Sequence, residues 1–127
     1  MNSTRTLFCA AAFAGMTALA PAALADGPQA VGIAANHAGL AANAGAIEMV
    51  HTHLHHVLNC LVGPGGQGFD AAPGNPCGQA GGAIPQTSDA AMKAKLEAAA
   101  TQVRGGIANN DVGAAKKVAS DVQASLK

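Results

Sequence analysis

Aromatic side chains are almost missing from this chain. There is no Trp and no Tyr, and three Phe make up the whole aromatic complement. A core made without them must rely on Ala, Val, Leu, Ile and Met, which bury little area each, so a small domain of this composition needs a staple. Charge is also sparse. Asp, Glu, Lys and Arg amount to 11% of the residues, and seven basic side chains balance seven acidic ones. That balance provides no electrostatic footprint for nucleic acid or an anionic lipid surface. Strand-like alternation of apolar and polar residues is lacking, which leaves an all-α fold. No Cys-x-x-Cys-His motif for covalent haem attachment occurs, and the shortage of aromatics argues against a haem pocket. Gly63-Pro64-Gly65-Gly66 has neither a following Lys-Ser/Thr nor a preceding strand, so it is not a phosphate-binding loop. No nucleophile, base and orienting group are marked together, and the chain is not expected to be an enzyme.

The N-terminus has the organisation of a secretory signal peptide. Arg5 supplies the positive start, Leu7 to Leu19 is mostly apolar, and Ala23-Leu24-Ala25 offers small residues to a signal peptidase. Cleavage is expected after Ala25. The apolar run falls short of the about 20 residues a membrane span requires. Cys9 stands near its start rather than its end, so lipoprotein processing is not expected. The mature chain, residues 26–127, would be a single periplasmic or secreted domain with no membrane span. It would lose Arg5, Phe8 and Phe13, leaving Phe69 as its one aromatic besides histidine.

Two of the three cysteines, Cys60 and Cys77, remain after cleavage. In an oxidising compartment they are expected to pair. Between them lies Val62-Gly63-Pro64-Gly65-Gly66-Gln67-Gly68 and then Pro73-Gly74-Asn75-Pro76, which cannot be helix or central strand. A bridge closing such a loop contributes about 3 kcal/mol on the chain-entropy account.

Three zones follow. Residues 28–62 have helical periodicity, with Leu40, Ile47, Val50, Leu54, Val57, Leu58 and Leu61 on one stripe. This zone is one long helix, or a hairpin turning at Asn43-Ala44-Gly45. Residues 63–86 form the Gly/Pro-rich loop. Residues 87–127 hold two shorter helices. Thr87 or Ser88 is expected to cap the first, whose buried face is Met92, Leu96, Ala99 and Val103, and Gly105-Gly106 should end it. Asn110 or Asp111 is expected to cap the second, which buries Ala115, Val118, Ala119, Val122 and Leu126. The product is a three- or four-helix bundle.

The chemistry is concentrated in His51-Thr52-His53-Leu54-His55-His56, with a fifth histidine at His37. Neutral imidazole is the commonest protein ligand for zinc, copper and nickel. Two candidate sites emerge from the helical wheel. His51 and His55 are four apart and can chelate one ion with Glu48. On another face Met49, His53, His56 and Cys60 fall within about 60° of one another, and their thioether and imidazoles suit copper. On a straight helix His37 would lie roughly 27 Å from His55. A hairpin near Gly45 is needed to bring it back, and the wheel then places it with His51 and His55.

With its export signal, its His51–His56 cluster on a helix and its Ala/Lys-bearing amphipathic segments at 90–103 and 112–126, the chain resembles the small periplasmic histidine-rich metal-binding proteins that fold as helical bundles. It departs from them in having no histidine in its last zone. The resemblance implies binding, buffering or delivery of a transition metal ion, and the thioether of Met49 beside the imidazoles favours copper over zinc or nickel. The alternatives from other classes are an accessory subunit that contacts another exported protein or a second copy of itself through the Gly/Pro loop, and a small enzyme or electron carrier that uses a bound metal or haem.

Overall fold

Pro28 stands in the first turn of α1 (Gly27–Asn43), where a missing N–H costs nothing and the fixed φ suits a helix start. The computed structural model describes residues 27–127. The expected signal peptide, residues 1–25 with its cleavage site after Ala25, lies outside the described residues. After α1 the chain turns at residues 44–46 into α2 (Ile47–Val62) and crosses a long loop holding a 3-10 turn (Gly78–Ala80). It then passes through the single-turn α3 (Ala83–Gln86) to α4 (Ala90–Ile107) and α5 (Val112–Ser125). No strand occurs among the described residues. The fold is an all-helical bundle of four long helices in which α1 packs on α2 and α5, and α4 packs on α2 and α5. No described helix is long and apolar enough to cross a membrane.

The core is aliphatic throughout, as the composition requires. In α2, Val50, Leu54, Val57, Leu58 and Leu61 are buried, the stripe expected from periodicity. The α1 face is different. Ala30, Ala34, Ala38 and Ala41 are fully buried, whereas Leu40 is 45% exposed and does not belong to the stripe. Those alanines share one side of the helix and Leu40 lies more than about 100° away from it. Small side chains let α1 lie close against two neighbours, and a leucine there would hold the helices apart.

Three further boundaries differ from expectation. The cap of α4 is Asp89, whose carboxylate accepts from the backbone N–H of Met92 at 2.6 Å, while the Thr87 hydroxyl donates to Ala83 O and closes α3. Met92, 43% exposed, is not core: it lines an open groove with Pro28, Val31 and Leu126. Gly105-Gly106 does not stop α4, which runs on to Ile107. A Cβ at Gly106 would stand 2.9 Å from Leu54 Cδ1 and 3.0 Å from Val118 Cγ1, so this glycine serves the close approach of α2 and α5. Asp111 caps α5 by accepting from Ala114 N, one of the two expected positions. A short helix also interrupts the expected loop zone, because one turn is too brief to show a period.

Cys60 and Cys77 form the expected disulfide, with Cα atoms 5.4 Å apart. The loop it closes is also held by a polar clamp. Asn59, fully buried, donates from Nδ2 to Asp70 O at 2.6 Å and Gly74 O at 2.8 Å, and its Oδ1 accepts from Asp70 N at 3.0 Å. Gly74 turns there with φ 106°, a conformation that favours glycine. Removing the clamp strands three backbone groups, each costing about 1–3 kcal/mol if left unpaired in the interior. Asn59→Ala should therefore destabilise the protein by at least about 2 kcal/mol, while Leu40→Gln should change stability by no more than about 0.5 kcal/mol. Urea denaturation compares the two. A large loss from the Leu40 substitution would contradict the assignment of the α1 packing face.

Candidate metal centre

A helical hairpin pairs positions equally distant from its turn. His37 stands eight residues before Gly45 and His53 eight residues after it, so each lies about 12 Å along its helix from the bend. The α1–α2 hairpin brings the two face to face. His56 comes from the next turn of α2. The ring centroids of His37 and His53 are 5.4 Å apart, those of His37 and His56 4.7 Å, and those of His53 and His56 5.7 Å. His37 Nδ1 lies 3.2 Å from His53 Nδ1 and 3.3 Å from His56 Nδ1. All three rings are half-buried.

These separations have chemical meaning. Around a tetrahedral ion with metal–nitrogen bonds of about 2.0–2.1 Å, neighbouring nitrogens stand roughly 3.3–3.4 Å apart. The two measured spacings are close to that edge length. The group His37, His53 and His56 can hold a metal ion, and among the described residues it is the only set of three His, Cys or carboxylate side chains gathered closely enough to do so.

The tautomer of His56 is also arranged. His56 Nε2 lies 2.7 Å from Pro73 O. A carbonyl only accepts, so Nε2 carries the proton and donates. In the neutral ring Nδ1 then keeps its lone pair and faces His37 Nδ1. Backing a histidine by a carbonyl in this way fixes the tautomer and orientation that a metal requires. Burial lowers the pKa of His37 below its ordinary 6.5, helped by the charges of His56 and His53. Burial likewise lowers that of His53, helped by His56. Rings held neutral in this way keep lone pairs that a metal ion could use.

The second face of α2 identified from the wheel, His53 with His56, is thus the one assembled. Two details of that reading change. His37 completes this pair and does not join His51 and His55. The wheel angle that grouped it with them assumed one continuous helix, and a hairpin reverses the chain and voids that angle. Cys60, one turn beyond His56, is bound to Cys77 and is not free to ligate. Met49, one turn before His53, is 50% exposed. His51 Nε2 donates to Asn109 O at 2.9 Å, tying α2 to the α4–α5 link. His55 Nδ1 is buried without a partner. Glu48 is exposed at the start of α2, and among the described residues it does not gather with His51 and His55 closely enough to hold an ion. Pro73 was not foreseen. Its role belongs to a backbone carbonyl, for which no side chain leaves a sequence mark.

Because the folded pKa values of His37 and His53 are lowered, the unfolded chain binds more protons below the ordinary value of 6.5. Stability from this source is complete above that pH and is lost as the pH falls through the folded values. The metal-free protein should melt at a lower temperature at pH 5.5 than at pH 7.5, and His37→Asn with His53→Asn should flatten that dependence. Thermal melts at both pH values check this. No family model matches the chain, and no curated protein or solved structure matches it either.

Proposed function

We propose that this chain is an exported protein that binds one transition-metal ion, with copper as the favoured cargo, at His37, His53 and His56. It buffers or delivers that ion and does not transform a substrate. The observation that carries the reading is the convergence of three Nδ1 atoms with the His56 proton directed away to Pro73 O. Three neutral imidazoles leave a coordination position open, which permits uptake and release. Copper is favoured by the exposed thioether of Met49, one helical turn before His53 and able to supply a soft fourth ligand. Export is supported by the N-terminal pattern of the sequence and by a disulfide, which persists in oxidising compartments.

Calorimetric titration with Cu(II), Zn(II) and Ni(II) tests the site. One equivalent should bind with Kd at or below about 1 μM, near 8 kcal/mol. His53→Ala with His56→Ala should weaken binding by about 100-fold or more, about 2.7 kcal/mol. His51→Ala with His55→Ala should leave it nearly unchanged. Competition with a chromophoric Cu(I) chelator then tests the cargo: Met49→Leu should weaken Cu(I) binding and spare Zn(II). Loss of Zn(II) affinity in the His51/His55 variant alone would place the site on the other face of α2.

A further inference from the structure

One helical turn of α2 carries three successive anchors for the Gly/Pro loop. His56 donates to Pro73 O, Asn59 grips Asp70 and Gly74 on either side of that proline, and Cys60 is bonded to Cys77. The same loop segment therefore touches a metal ligand and a redox-active bond. Of the three anchors only the disulfide is covalent. Without it, a few hydrogen bonds of modest net strength must offset the entropy of closing a loop in which the two cysteines are 17 positions apart in sequence.

We infer that the Cys60–Cys77 bridge is a redox control on the metal centre, acting through the Pro73 carbonyl that orients His56. This deepens the proposed metal-binding reading and rests on it. The chemistry is ordinary thiol–disulfide exchange. A thiolate of a dithiol reductant attacks Sγ of Cys77, the less buried of the two residues, and Cys60 leaves as thiolate and takes up a proton. The second thiol of the reductant then resolves the mixed disulfide. The net change is two electrons and two protons: protein disulfide plus dithiol gives two protein thiols plus oxidised reductant. With the bridge open, the loop from Asp70 to Cys77 loosens, the hydrogen bond from His56 Nε2 is lost for part of the time, and His56 samples both tautomers. Only one of them offers Nδ1 to the ion. Removing such a backing group weakens metal binding by about 10–100-fold. By reciprocity, metal loading makes the bridge harder to reduce, with each tenfold of affinity equal to about 30 mV.

Two measurements test this. The first is Zn(II) affinity of the bridged wild type and of the Cys60→Ala, Cys77→Ala double variant, with helix content followed by circular dichroism. The expected result is at least about tenfold weaker binding at unchanged helix content. The second uses the metal-free native protein before and after reduction by a phosphine. Imidazole nitrogen NMR above pH 7.5 should show His56 as the single Nε2–H tautomer with the bridge closed and as a mixture with it open. An unchanged tautomer and unchanged Zn(II) affinity would overturn the inference. So would outright unfolding in both experiments, because the bridge would then be a structural staple with no graded control of the site. Failure of the bridged wild type to bind Zn(II) at all would sink the metal-centre reading itself, a result that does not depend on the bridge.

Discussion

The close contact of α1 with α2 is the constraint on which the site depends. It is made possible by alanine. Ala30, Ala34, Ala38 and Ala41 present almost no side chain beyond Cβ and are fully buried, so α1 can lie against both α2 and α5. Had the chain continued as one helix, His37 would stand roughly 24 Å from His53 along the axis. The hairpin reduces that to a nitrogen–nitrogen contact of 3.2 Å. An aromatic-poor sequence is usually a disadvantage for stability. In this chain the small side chains bring two helices close enough for their histidines to share an ion.

The second constraint works from the other side of the site. The segment rich in glycine and proline that follows α2, from Gly63 to Pro76, has little intrinsic order. It is fixed at one end of α2 by a disulfide and by a buried asparagine that saturates backbone groups on both sides of Pro73. Covalent closure and hydrogen bonding cooperate: the bridge removes unfolded conformations, and Asn59 selects one of those left. The product is a single carbonyl placed at 2.7 Å from His56 Nε2. Loop order thereby sets the tautomer of a candidate ligand.

Much of this was legible from residue patterns, and the exceptions have physical causes. The helical class, the Cys60–Cys77 bridge and the leucine and valine stripe of α2 follow from periodicity and cysteine count, whereas Asn43-Ala44-Gly45 leaves a hairpin and one long helix equally open. Leu40 was misplaced because hydropathy ranks leucine above alanine for burial, while helix–helix distance reverses that order in α1. Gly106 reads as a stop in the sequence, although close packing against Leu54 and Val118 is what demands a glycine there. In the site, His53 and His56 could be grouped from the wheel. His37 could not be assigned to them by any single-helix angle. Its equal spacing from Gly45 was the available clue. The Pro73 carbonyl had no clue at all, since backbone groups acquire roles only in the folded chain.

Three Nδ1 atoms from two helices are expected to take up one metal ion. A crystal structure of the Zn(II)-loaded protein, with anomalous data collected at the zinc edge, tests it most directly. The account predicts one strong anomalous peak about 2.0–2.1 Å from Nδ1 of His37, His53 and His56, with His56 Nε2 still donating to Pro73 O. A peak bound instead by His51 and His55, or an ion held through Nε2 of His56 with the Pro73 contact broken, would contradict it.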